Sequence, residues 1–188
     1  MTSISPRSGA ARITIERASI ADAEELARTG AAMFEATFGE ANTPEDMAAY
    51  LAGAFSAARQ RRDIGDARNR IWLARDERQV LVGYAHVRFG AAPPAAVPHT
   101  RPAEIVRLYA DSNFHGRGLG AALMGTCIES ARQEDADLLW LGVWEHNERA
   151  IAFYTKNGFK AIGEQTFMLG SDRQRDVVMA LALTPIEP

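Results

Sequence analysis

The stretch that most constrains this chain runs from Ala103 to Met124: Ala-Glu-Ile-Val-Arg-Leu-Tyr-Ala-Asp-Ser-Asn-Phe-His-Gly-Arg-Gly-Leu-Gly-Ala-Ala-Leu-Met. An apolar strand passes through a glycine turn straight into an amphipathic helix, whose stripe is Leu119, Ala122, Leu123, Thr126 and Cys127. Gly116, Gly118 and Gly120 tolerate positive φ and let a ligand approach the backbone. The unpaired N–H groups of the first helical turn, reinforced by the helix dipole, suit an anion such as a pyrophosphate. Arg117 adds a positive charge there.

A glycine-rich turn is open to other readings. It can be a plain strand-to-helix connection with no ligand. It also satisfies G-x-G-x-x-[GA] as Gly116-x-Gly118-x-x-Ala121, with Asp137 at roughly the spacing of a ribose-binding acid. That acid should end the next strand, whereas Asp137 precedes the strand Leu138-Leu-Trp-Leu-Gly-Val-Trp144. No Gly-Lys-[Ser/Thr] comes after the turn, so a Walker A loop fails.

The residues after that strand decide between them: Asn147-Glu-Arg-Ala150-Ile-Ala-Phe-Tyr154-Thr-Lys-Asn-Gly158-Phe159. Here the sequence resembles the GNAT superfamily of acyl-CoA-dependent N-acetyltransferases. That family carries [Gln/Arg]-x-x-Gly-x-[Gly/Ala] in its glycine turn, read here as His115-Gly-Arg-Gly118-Leu-Gly120, and Asn-x-x-Ala-x-x-x-Tyr-x-x-x-Gly-Phe in the next element, matched at every fixed position. His115 stands where the family has Gln or Arg. Phe34-Glu-Ala-Thr-Phe38 with Thr43 to Tyr50, Glu104 to Tyr109, Trp140 to Glu145 and Phe167 to Asp176 are similar to PaiA-type spermidine/spermine acetyltransferases, over about residues 12 to 184.

The resemblance implies a mixed, mostly antiparallel α/β sheet of about seven strands, splayed between the fourth and fifth and flanked by about four helices. Acetyl-CoA is the co-substrate, in the gap. Its pantetheine arm bonds backbone at Leu108, Tyr109 and Ala110, and its pyrophosphate lies on His115, Gly116, Arg117, Gly118, Leu119 and Gly120. Asn147 orients the arm, with Ala150 on the same face, and Tyr154 is the general acid beside the sulfur. Asn147 also suits an N-cap and Tyr154 an aromatic core position. A backbone N–H near Leu108 or Tyr109 polarises the thioester carbonyl.

An alkylammonium has a pKa of about 10.4, so roughly one molecule in a thousand is the free nucleophile at neutral pH. A base or a water chain must take the proton. Glu104, eleven residues before His115, stands where some members of this family carry that base; an ion pair with Arg107, or solvent, is the alternative. The helices before the second strand form the acceptor wall by resemblance, with Phe34, Glu35 and Phe38 as candidate contacts, and Glu40, Glu45 and Asp46 nearby. A solvated helix surface accounts for these carboxylates equally well.

The 188 residues, 47% hydrophobic, suit one globular domain over 12–188 behind a loose tail, Met1 to Ala11. A net charge of −3 without a basic run gives no nucleic-acid or anionic-membrane surface. No signal peptide or membrane span is present, so a cytoplasmic location is expected. The single Cys127 reads as a core residue, and His86 and His99 belong to no cluster with metal spacing, so no metal is expected. Arg12 to Arg17 reads as an edge strand, Ser19 with Asp22 as a capping box, Thr43-Pro44 as a helix start, Gln60 to Arg70 as a mobile loop, and 70–75 with 79–88 as a hairpin. Gly90 to Pro102 is an irregular connection.

The reading is transfer of acetyl to a small primary amine of polyamine type, directly in a ternary complex. Amino-acid, antibiotic or protein amines are alternative acceptors, and a non-catalytic CoA sensor is the alternative of another class. Relatives are commonly dimers, which leaves a homodimer open.

Overall fold

The computed structural model describes residues 2–3 and 12–183. The strands are β1 (Thr14–Arg17), β2 (Asn69–Arg75), β3 (Leu81–Phe89), β4 (Pro102–Ala110), β5 (Leu138–Trp144), β6 (Lys160–Leu169) and β7 (Asp172–Ala182). They stand in the order β1-β2-β3-β4-β5-β7-β6, and Thr2–Ser3 pairs antiparallel outside β1. Part of the expected tail is therefore extended backbone on the sheet; the rest of it lies outside the described residues. Every strand pair is antiparallel except β4 with β5.

That parallel pair joins at three positions only, Pro102 with Leu138, Ala103 with Leu139 and Glu104 with Trp140. Beyond them the two strands part, so the expected splay is present. On its other side β4 carries a bulge: His86 pairs with Arg107 and Val87 with Ile105, leaving Val106 as an extra residue. A bulge bends a strand and re-aims the residues beyond it. The segment from Arg107 onward is thereby turned away from β5.

Among the described residues five α-helices cover the sheet: α1 (Ala23–Phe38), α2 (Pro44–Ala54), α3 (Ala57–Gly65), α4 (Leu119–Gln133) and α5 (Glu148–Lys156). On one face α4 and α5 bury Leu119, Leu123, Met124, Cys127, Ile151 and Tyr154 against Val82, Ala85, Val87, Ile105, Leu141 and Val143. On the other, α1 to α3 bury Leu26, Phe34, Met47 and Phe55 against Ile71, Leu73 and Tyr84. The irregular segment 90–101 covers the remainder of that second face. Ala91 and Val97 pack on Trp140, Val178 and Ala180, and the Trp140 indole N–H donates to the Ala91 carbonyl at 2.6 Å.

The expected starts are recognisable. The Asp22 carboxylate accepts from the Ser19 backbone N–H at 2.8 Å and from its hydroxyl at 2.7 Å, although a 3-10 turn over Ile20–Asp22 precedes α1. The Thr43 hydroxyl accepts from the Asp46 N–H, with Pro44 in the first turn of α2.

One expectation fails. Gln60 to Arg70 is not a mobile loop: α3 occupies its first half, which makes five helices instead of about four. The Ser56 hydroxyl caps α3 through the Arg59 N–H, and Arg59 pairs with Asp63 one turn on at 2.9 Å. Its buried residue is Gln60, whose amide donates to the Ala54 carbonyl at 3.0 Å. A helix that buries a glutamine leaves no apolar period in the sequence.

Candidate active site

The donor side starts where β4 leaves β5. Leu108, Tyr109 and Ala110 pair with Ala85, Tyr84 and Gly83 of β3, and their opposite edge has no strand partner. An unpaired strand edge inside a fold needs something to bond it, and an extended amide-bearing chain fits. The turn after β4 is closed by Asp111, which accepts from the Asn113 N–H at 2.8 Å. It then passes through Gly116 at φ +73° and Gly118 at φ +88°. A Cβ at either would meet nothing within 4 Å, so backbone conformation, not crowding, requires glycine there.

Gly118 is the N-cap of α4, and the first helical hydrogen bond runs from the Ala122 N–H to the Gly118 carbonyl. The N–H groups of Leu119 to Ala121 therefore point out of the helix toward the gap. Two exposed cationic side chains flank them, Arg117 in the turn and Arg149 on α5. The Arg149 guanidinium lies 2.8 Å from His115 Nε2, which is itself 3.1 Å from the Ala110 carbonyl. That nitrogen can accept from Arg149 or donate to Ala110, and the ring tautomer decides which.

Across the gap, α5 begins at Asn147, whose side-chain oxygen accepts from the Ala150 N–H at 3.1 Å. Ala150, Ile151 and Tyr154 face the core shared with α4. The Tyr154 ring packs on Phe153 and Phe159 at 5.5 and 5.9 Å. Burial, with Cys127 adding to it, pushes the Tyr154 hydroxyl above the usual phenol range. It stays protonated through the neutral range.

The opposite face of the sheet carries an aromatic wall. Phe34 stacks on Tyr50 at 4.7 Å and lies 4.7 Å from Phe38, which meets Trp144 edge-on at 6.1 Å. Tyr50 meets Phe167 of β6 at 5.3 Å. Beside this wall, between Ala41, the end of β5 and the β6–β7 hairpin, lies a cavity of about 660 Å³. Its rim carries Glu145 and Glu164, both bonded to Arg175. Asp176 lies next to it, behind the lining residues Trp144 and Gln165: it is 7% exposed and paired with Trp144 across β5 and β7. Gln165, which lines the cavity, donates to Asp176 at 3.4 Å.

The profile of the acetyltransferase (GNAT) family matches residues 32–159, a span holding the glycine turn, the splay and the whole of α5. The chain belongs to the GNAT family. It is 33% identical over 171 residues to an uncharacterized N-acetyltransferase of Lactobacillus delbrueckii subsp. lactis, covering 91% of this chain and 98% of that one. It is 36% identical over 162 residues to an uncharacterized N-acetyltransferase of Mycobacterium tuberculosis, covering 86% and 98%. Among solved structures it resembles the PaiA N-acetyltransferase of Thermoplasma acidophilum in complex with coenzyme A, with a TM-score of 0.72, 19% identity and coverage of 91% and 99%. The ribosomal-protein-alanine N-acetyltransferase of Brucella melitensis matches with a TM-score of 0.66, 22% identity and coverage of 90% and 99%. This protein is an N-acetyltransferase, and its open gap and amide-lined turn fit acetyl-CoA as the co-substrate.

Within that GNAT frame the expected donor residues fall on three successive pieces of the fold: 108–110 on the free end of β4, 115–120 in the turn into α4, and 147, 150 and 154 on α5. Phe34 and Phe38 both belong to the aromatic wall, Phe34 as a buried member. Glu35 is exposed and lines a separate groove between α1 and α2 with Met47 and Leu51. Glu104 stands at the last β4–β5 pair, and its carboxylate is held by Arg88 of β3 at 2.6 Å, not by Arg107. Arg107 is buried over the Phe55 ring at 4.4 Å and donates to the Ala54 carbonyl. Arg149, Gln165 and Asp176 emerge only here. Arg149 occupies a variable place inside the Asn147–Phe159 motif, so nothing in the motif singles it out. Asp176 lies in the polar end of a strand that otherwise reads as core.

Proposed function

We propose that this enzyme transfers the acetyl group of acetyl-CoA directly to a primary amine of polyamine type, with both substrates bound together. The observation that carries the reading is the two-sided gap. The amide-lined turn and Tyr154 stand on one face of the splayed sheet, and a roomy cavity beside the aromatic wall opens on the other. Two substrates approaching from opposite faces meet at the mouth of the gap without a covalent enzyme intermediate. Cys127 is fully buried under α4, and no acyl-carrying nucleophile is needed.

In this reading the β4 backbone beside Leu108 and Tyr109 binds the pantetheine arm and faces the carbonyl where negative charge develops. The α4 turn takes the pyrophosphate, with Arg117 and Arg149 beside it. Tyr154 protonates the leaving sulfur, whose thiol pKa near 8.5 makes the neutral form the better product at neutral pH. Likeness to PaiA-type sequences, and the buried Asp176 beside the aromatic wall, without an ion pair among the described residues, favour a cationic amine. A cytoplasmic location goes with a metabolite acceptor of this kind.

The test is release of CoA thiol from acetyl-CoA by the purified chain with spermidine, spermine, amino acids, aminoglycosides and lysine peptides. Turnover with the polyamines is expected. Turnover confined to another amine would discard the polyamine class, and tight acetyl-CoA binding with no turnover would replace the enzyme by a sensor.

A further inference from the structure

Two carboxylates stand on the strands beside β5, Glu104 on β4 at the last β4–β5 pair and Asp176 on β7 opposite Trp144. Arg88 holds Glu104 at 2.6 Å, with a second contact at 3.2 Å to the same oxygen. Asp176 has no ion pair among the described residues, and its one hydrogen bond is the 3.4 Å contact from Gln165. A buried carboxylate with so weak a partner is costly unless a cation arrives to join it.

The surroundings keep that place open. Gly142 of β5 lies two residues past the last β4–β5 pair, and a Cβ there would fall 2.8 Å from Asp176 Oδ2 and 2.3 Å from Gln165 Nε2. The missing side chain is the room in which the carboxylate sits, at the lip of the gap. Tyr50 of α2 is within the field of both Arg107 and Asp176. Trp144 of β5 is its cross-strand partner, and the neighbouring Arg175 is turned to Glu145 and Glu164. No cation therefore faces Asp176 from its own strand. Aromatic rings beside a buried carboxylate form a binding site for an alkylammonium group.

We propose that Asp176 binds the acceptor's ammonium group at the mouth of the gap and takes its proton before attack, an assignment that rests on the amine-acetylation reading. The proton passes from nitrogen to the Asp176 carboxylate, and the freed lone pair forms the C–N bond at the thioester carbonyl. The C–S bond breaks, the sulfur takes the Tyr154 proton, and the nitrogen loses its second proton to solvent, from which Tyr154 recovers its own. Asp176 then returns its proton to solvent. Burial raises the Asp176 carboxyl above the usual range, against the opposing hydrogen bond from Gln165, which makes it a better proton acceptor than an exposed aspartate.

The test compares wild type, Asp176→Asn and Glu104→Gln by CoA release, with spermidine and with 2,2,2-trifluoroethylamine, a weakly basic amine that is uncharged at neutral pH. Asp176→Asn is expected to lower kcat/KM for spermidine by about 10²-fold or more, and to lower it less than about tenfold for the weakly basic amine. Its spermidine profile should steepen toward tenfold per pH unit, tracking the free amine, while CoA affinity is unchanged. If Asp176→Asn does not fold, Gly142→Ala, which displaces the carboxylate without removing it, should show the same selective loss. Equal losses on both amines would reduce Asp176 to a structural residue and overturn the proposal. So would wild-type rates in Asp176→Asn with loss in Glu104→Gln, and both results would leave the amine-acetylation reading standing. A wild type silent toward every amine would overturn that reading and this assignment with it.

Discussion

Asp46 at the start of α2 and Ser171 in the β6–β7 turn are joined through a single carboxylate oxygen, which accepts from the Ser171 N–H at 2.6 Å and from its hydroxyl at 2.8 Å. The neighbouring Gly170 turns at φ +61°, and a Cβ on it would fall 2.4 Å from the same oxygen. This contact fastens α2, with Tyr50, to the hairpin that carries Phe167 and Asp176, so it sets the width of the acceptor side. Asp46→Ala is expected to raise the amine KM several-fold and leave CoA affinity unchanged. Steady-state kinetics beside a CoA binding titration check the split.

Tyr154→Phe removes only the hydroxyl from a ring packed by Phe153 and Phe159. The thermal midpoint should stay within a few degrees, and kcat should fall by about 10²-fold or more. Because burial keeps this phenol protonated, the kcat profile of the wild type should show no descending limb from Tyr154 up to about pH 10, the range in which an exposed phenol titrates. Rates measured across the alkaline range decide it.

Gly118 holds φ +88° at the N-cap of α4. Alanine in that conformation costs about 1–2 kcal/mol, although space is free around it. Gly118→Ala should weaken CoA binding about five- to tenfold as the first-turn amides shift. Calorimetric titration with CoA measures this, and unchanged affinity would remove the turn from the binding site.

Cys127 is fully buried on α4, and burial pushes its thiol up to about 12. The native protein should therefore resist thiol reagents at pH 8 and react completely once unfolded. A free-thiol assay with and without denaturant tests it, and rapid native labelling would mean that α4 opens.

Arg75 joins Glu16, Asp22 and Glu25 at 2.9, 2.9 and 2.8 Å with a side chain only 10% exposed. Arg75→Met leaves three partly exposed carboxylates without their shared cation and should cost about 1–3 kcal/mol. Burial raises the Asp22 carboxyl, but the Ser19 N–H and hydroxyl with Arg75 outweigh it and hold it below the ordinary value. A lowered folded pKa contributes stability above the unfolded value, near 3.9, that is lost as the pH falls through the folded one. Wild type should lose this contribution below about pH 4. Arg75→Met, lacking the pair, should lose less over the same interval in urea titrations.

The donor half of the site was legible in the sequence because its parts are local. Positive-φ glycines, an N-cap asparagine and a tyrosine two helical turns on are fixed by near neighbours, and the structure has each of them in the expected element. The hairpin after Asn69 and the start of α2 arise from equally short-range rules. The acceptor half depends on contacts across the whole chain. Tertiary structure alone put Arg88 on Glu104, sent Glu35 to an outer groove, and set Asp176 beside Gly142 and Gln165. A strand's alternation says which residues share a face, but not which partner satisfies a charge there. It also turned a charged segment into α3, since a buried glutamine satisfied by one carbonyl leaves no apolar mark. The sequence by itself determined the glycine turn into α4, where local backbone conformation is what the residues specify. The tertiary structure decided the opposite face, where burial and pairing set what each carboxylate can do.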